Sequence, residues 1–126
     1  MDTNKILLLE DEELVSNFLK MSLEHRSFAV DTVKNGVEGV RKIQDNDYDI
    51  IICDMNMPTL PGDMFYRAVE RLKPHLCKRF IFITGFKDNP RIAEFIQTVS
   101  APLLTKPFKM DELSDTIAFV QMRAQM

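Results

Sequence analysis

The stretch I-I-I-C-D-M-N-M-P-T-L-P-G carries a bare aspartate, Asp54, at the end of an apolar run. A carboxylate at the mouth of a buried strand is costly unless a cation, a hydrogen bond or a proton compensates it. Four other polar residues follow apolar runs in the same way: Glu10 and Asp11 after I-L-L-L, Thr84 after F-I-F-I, and Lys106 after P-L-L-T. Brought to one edge, they form a group of three carboxylates, one hydroxyl and one ammonium. Clustered carboxylates bind either protons or a cation. An all-oxygen donor set with no histidine or thiol favours a hard ion, and few carboxylates with room for water and phosphate oxygens favour Mg²⁺ over Ca²⁺. Lys106 would repel a metal, so it needs an anion of its own. A lysine and a hydroxyl aimed at the same place are what a phosphoryl group requires. The chemistry indicated is phosphoryl transfer with a carboxylate as acceptor.

The elements that must position these residues follow from hydrophobic period. Ile6 to Leu9, Phe28 to Val33, Ile50 to Cys53, Phe80 to Ile83 and Pro102 to Leu104 are short apolar runs rich in branched residues, and predict five strands. After each strand in turn, Leu14/Val15/Phe18/Leu19, Val37/Val40/Ile43, Phe65/Ala68/Val69/Leu72, Ile92/Ala93/Ile96 and Leu113/Ile117/Val120 recur at three- to four-residue spacing, predicting five amphipathic helices. Strand-helix alternation calls for an α/β fold with a mostly parallel sheet covered on both faces. The first and third strands are apolar throughout and should be central. F-A-V-D-T-V alternates in part and suits an edge. In such sheets ligands bind beyond the carboxyl ends of the strands, where strand order reverses. The last helix is predicted to start at a weak cap, Lys109, with Asp111 and Glu112 favouring its positive end.

With 126 residues and 45% hydrophobic content, the chain fits one domain with one core, residues 1–126. Sixteen basic against 19 acidic residues, net -3, and no basic block argue against nucleic acid or an anionic membrane as a direct partner. The opening M-D-T-N-K-I-L-L-L-E-D-E-E is too short in apolar residues for a signal peptide or a membrane span, so a cytoplasmic location is expected. Cys53 and Cys77 lack metal-ligand spacing and are expected to be reduced thiols. His25 and His75 are expected at the surface, without partners.

Taken in order, these motifs resemble the receiver domain of two-component response regulators over essentially the whole chain. The family pattern is an acidic pair after strand one (Glu10-Asp11), an acceptor aspartate followed by x-x-Met-Pro and a glycine (D-M-N-M-P-T-L-P-G), Thr or Ser after strand four (I-T-G), and Lys-Pro after strand five (T-K-P-F). The resemblance implies a doubly wound (βα)5 flavodoxin-like sandwich with a five-stranded parallel sheet in order 2-1-3-4-5. It implies that Asp54 accepts the phosphoryl group, that Asp11 and Asp54 bind Mg²⁺ directly, that Glu10 does so through water, and that Asn56 adds its backbone carbonyl. Thr84 and Lys106 would contact the phosphoryl oxygens, and the Lys106-Pro107 bond would be cis. The implied partner is a histidine kinase or histidine phosphotransfer protein, and the implied state is a monomer or a dimer that forms on phosphorylation. Such a domain catalyses its own phosphorylation and dephosphorylation rather than acting as an enzyme on other substrates. The stretch from Ile83 to Phe108 also resembles receivers at the C-terminal end of hybrid histidine kinases.

Two positions depart from the pattern. Leu103 stands three residues before the lysine, where the family often has Tyr or Phe as a rotamer switch. Phe86, two residues after Thr84, is bulky where side chains influence water access to the phosphoryl group. Two other readings use the same residues. A pseudo-receiver acting only as a binding module usually loses the acceptor, the acidic pair or the lysine, and all are present here. A phosphatase of the haloacid dehalogenase type needs Asp-x-Asp, and Asn56 stands at the second acid.

Overall fold

The computed structural model describes residues 4–86 and 88–125. Strands and helices alternate: β1 (Lys5–Leu9), α1 (Glu13–His25), β2 (Ala29–Val33), α2 (Gly36–Asp45), β3 (Ile50–Asp54), α3 (Gly62–Leu72), β4 (Phe80–Thr84), α4 (Pro90–Thr98), β5 (Leu103–Thr105) and α5 (Met110–Ala124). The strands form one parallel sheet in the order β2-β1-β3-β4-β5. This is the flavodoxin-like order expected. No helix among the described residues is long and apolar enough to cross a membrane.

Side-chain alternation along each strand divides the interior into two layers. Leu7, Leu9, Ile51, Cys53, Phe80 and Phe82 face α2, α3 and α4, where Phe65, Tyr66 and Phe95 complete an aromatic cluster. Ile6, Leu8, Ile50, Ile52, Ile81 and Ile83 face α1 and α5, where Leu19, Leu23, Leu113, Ile117 and Val120 meet them. Both faces of β3 and β4 are buried, which is why their sequences are apolar without alternation. β2 has an exposed Ala29 and Thr32 beside buried Val30 and Val33, as its edge position requires.

Several local expectations need correction. In α1 the packed stripe is Ser16, Leu19 and Leu23, whereas Leu14 and Phe18 are 85% and 60% exposed. Four apolar residues met the helical period, but the sheet covers only the face centred on Leu19. A 3₁₀ turn, Pro74–Arg79, precedes β4 and had no signal of its own beyond Pro74. His75 is paired after all: its Nε2 lies 3.0 Å from Asp47 Oδ1, a residue 28 positions away. At α5, the Lys109 side chain has no acceptor to cap with, yet the Glu112 carboxylate accepts the Lys109 N–H at 3.1 Å. That contact fixes the helix start which the residue at the cap position leaves weak.

The loop between β3 and α3 is tightly held. Met55 N–H donates to the Ile83 carbonyl, Gly62 N–H donates to the Met55 carbonyl, and β-branched Thr59 adopts φ 71. A Cβ on Gly62 would stand 2.9 Å from Met55 Cα and 3.0 Å from the Asp54 carbonyl oxygen. Backbone atoms on that side cannot rotate away, so Gly62→Ala is expected to lower stability by about 1–3 kcal/mol in urea denaturation. A loss below about 0.5 kcal/mol would mean that the loop yields without strain.

Candidate functional site

The order of the sheet makes the site. Strand order reverses at β1 and β3, because the chain winds from β1 out to β2 on one side and then crosses to β3 on the other, and the residues beyond β1 and β3 therefore flank the crevice where such sheets take ligands. Leu9 pairs with Cys53 in register, so Glu10 and Asp54 are the next neighbours along the two strands. Strand parity then directs both to the α1/α5 side, continuing Ile6-Leu8 and Ile50-Ile52. Glu10 is 1% exposed and Asp54 4%, with Asp11 exposed beside them. Each of the three offers a carboxylate oxygen, and these atoms all lie within 4.8 Å of one another.

Lys106 compensates the buried pair. Its Nζ donates to Glu10 Oε1 at 2.9 Å and to Asp54 Oδ2 at 3.0 Å, and lies 3.5 Å from Glu12 Oε1. The other Asp54 oxygen, Oδ1, accepts the Asn56 N–H at 2.8 Å, and Glu10 Oε2 accepts the Glu12 N–H at 3.1 Å. Burial works against the ammonium, but the hydrogen bonds and charges of Glu10 and Asp54 outweigh it and hold the Lys106 pKa above its ordinary value. Burial raises the Glu10 pKa, and the Lys106 and Glu12 hydrogen bonds offset this only in part. The Lys106-Pro107 peptide bond is cis.

Thr84, the last residue of β4, is fully buried, and its Oγ1 accepts the Phe86 N–H at 3.0 Å and Asn56 Nδ2 at 3.2 Å. All the residues singled out in the sequence for this edge, Glu10, Asp11, Asp54, Asn56, Thr84 and Lys106, thus stand around one crevice. Two contributions were missed. Glu12 was given no place at the site, yet it caps nothing with its side chain and turns to Lys106 instead. Asn56 was expected to contribute only its backbone carbonyl, and its side-chain amide reaches Thr84 as well. Leu103 is half-buried against the aromatic layer, paired with Phe82, and the Phe86 side chain is 63% exposed.

The family model for the response regulator receiver domain matches residues 6–118. The chain belongs to that family. Among curated relatives, this receiver domain is 30% identical over 118 residues to the response regulator ArlR of Staphylococcus haemolyticus, covering 94% of this chain and 52% of that protein. It is 29% identical over 109 residues to the transcriptional regulatory protein CutR of Streptomyces coelicolor, covering 86% and 49%. The chain spans about half the length of these relatives. Among solved structures, the receiver domain protein of Clostridium thermocellum superposes with a TM-score of 0.83 at 30% identity, over 97% of each chain. The receiver domain of a Pseudomonas aeruginosa sensor histidine kinase, solved with a magnesium ion coordinated in its active site cleft, has the same fold, with a TM-score of 0.84 at 24% identity over 99% of this chain and 100% of its own.

Removing the Lys106 charge leaves Glu10 and Asp54 buried side by side without a cation. Lys106→Met is expected to cost about 2 kcal/mol at pH 7, judged against the larger losses at fully buried pairs. In that variant Glu10 takes up a proton at higher pH than in the wild type. Its folded state therefore gains protons, and relative stability, as pH falls, so the gap should narrow between pH 7 and pH 5. A gap that stayed constant across urea titrations at the two pH values would refute this account.

Proposed function

We propose that this receiver domain accepts a phosphoryl group on Asp54 from a phosphohistidine of a histidine kinase or a histidine phosphotransfer protein. The observation that carries this reading is the Asp54 carboxylate itself, at the sheet's switch point with Lys106 Nζ 3.0 Å from Oδ2 and the Glu10 and Asp11 carboxylates beside it. An Asp54 oxygen forms the O–P bond as the P–N bond to the donor imidazole breaks, and the electron pair returns to the ring nitrogen.

Asp11 and Asp54 would hold Mg²⁺ directly, with Glu10 through water and Asn56 through its backbone carbonyl; the all-oxygen set suits that ion. Bound there, Mg²⁺ would neutralise charge on the phosphoryl oxygens and on the carboxylates. Lys106 then exchanges an Asp54 oxygen for a phosphoryl oxygen, and Thr84 donates its hydroxyl proton to another. The domain supplies the catalytic groups for its own modification and for its reversal, and turns over no separate substrate. Phosphorylation shifts the arrangement of β4, α4 and β5, with Leu103 in place of an aromatic switch.

Labelling by a small acyl phosphate tests the acceptor. The wild type is expected to label in the presence of Mg²⁺, and Asp54→Asn to lose that labelling entirely. Undiminished labelling of Asp54→Asn would sink the assignment.

The donor needs a route to Asp54, and an apolar groove begins at Lys106. It is lined by Val15, Phe18, Leu19, Lys106, Pro107 and Phe108, and the exposed Leu14 and Met21 extend it along α1. Its position at the end of the acceptor crevice fits the segment of the donor that carries the phosphohistidine. Phe18→Ala is expected to slow transfer from a phosphorylated donor protein about tenfold or more, as for loss of a buried aromatic contact. Labelling by the small acyl phosphate should be unchanged in the same variant. Equal slowing with both donors would place the effect at the site rather than at the groove.

A further inference from the structure

A threonine hydroxyl has one proton to donate and two lone pairs with which to accept. At Thr84 both lone pairs are occupied. The Phe86 N–H, two residues on, donates to Oγ1 at 3.0 Å, and the Asn56 side-chain amide, 28 residues back, donates at 3.2 Å. The first bond belongs to the turn after β4. The second joins two different loops at the crevice, those after β3 and β4.

Filling both lone pairs leaves the hydroxyl a single role, that of donor. The residue is fully buried, and among the described residues no acceptor is bonded to the Thr84 proton. A buried donor without a partner costs free energy that is recovered when an acceptor arrives. Asn56 meanwhile holds Asp54 through its N–H, so one residue touches both the carboxylate and the hydroxyl.

We infer that the Asn56 side chain is a positioning residue. Its amide occupies the second lone pair of Thr84 and so keeps the hydroxyl proton available to a phosphoryl oxygen on Asp54. Without that amide the lone pair is free, the hydroxyl can turn to accept from water, and its donor orientation becomes one of several. The inference rests on the phosphoacceptor reading and adds to it a residue-specific device that orders a proton before the phosphoryl group arrives.

A double-mutant cycle tests it, using Asn56→Leu, which keeps size and removes the amide, and Thr84→Val, which keeps shape and removes the hydroxyl. The readouts are affinity for beryllofluoride, a phosphoryl mimic, and the maximal rate of Asp54 labelling by a small acyl phosphate. Asn56→Leu is expected to lower both about threefold to tenfold with Thr84 present, the size of one hydrogen bond, and to have no further effect in Thr84→Val. Affinity for Mg²⁺ alone is measured beside these, because Asn56 also lends its backbone carbonyl to the proposed metal site. Thr84→Ala provides the second background should the valine variant fold poorly.

Equal losses in both backgrounds, or none with Thr84 present, would overturn the inference while leaving Asp54 as acceptor. A matching fall in Mg²⁺ affinity would also overturn it, by assigning the effect to the metal. Failure of the wild type to label would instead remove the phosphoacceptor reading, and this inference with it.

Discussion

Two carboxylates buried on adjacent strands, Glu10 and Asp54, create the constraint around which this domain is organised. Burying two carboxylates side by side is costly without a cation, and the Lys106 ammonium, reaching both at 2.9 and 3.0 Å, compensates them. The lysine comes from the last strand of the sheet and the acids from its first and third. Their meeting therefore depends on the whole strand order, since β4 must lie between β3 and β5 for Lys106 to approach from that side. An electrostatic requirement at one point is thereby tied to the topology of the complete fold.

The two apolar layers make that requirement bearable. Stiff branched residues on both faces of β3 and β4 leave the strand ends little freedom, so the polar groups beyond them are held in place by packing. The loop after β3 carries the remaining control. Its Gly62 lies against the Asp54 carbonyl, and its Asn56 contacts both Asp54 and Thr84. Strain at Thr59, in the left-handed region, is a local cost of a loop shaped for the crevice.

Residues at strand ends were legible in the sequence because each stands where an apolar run stops, and the period of the run fixes which side of the sheet is reached. The strand order followed from resemblance, with the edge position of β2 visible in its alternation. What could not be read were contacts that depend on side chains from distant segments meeting. His75 and Asp47, Asn56 and Thr84, and Glu12 and Lys106 carry no pattern linking one to the other along the chain. In α1 the difficulty was different. Leu14, Val15, Phe18 and Leu19 all satisfy a helical period, but period alone does not say how much of a helix the sheet covers.

β5 is only three residues long, half-buried throughout, and pairs with β4 at three positions. β3 and β4, by contrast, are buried along their full length. Regarded as a mechanical object, the sheet is rigid at its centre and compliant at this rim. Asp54 is mounted on the rigid part, and Lys106 on the compliant one. A change in the pull between them meets its least resistance at β5 and at the α5 start that follows it. Asp54 sits as an anchor and Lys106 as the end of a spring, so on the phosphoacceptor reading proposed above a chemical event at the centre of the sheet would be converted to motion at its margin.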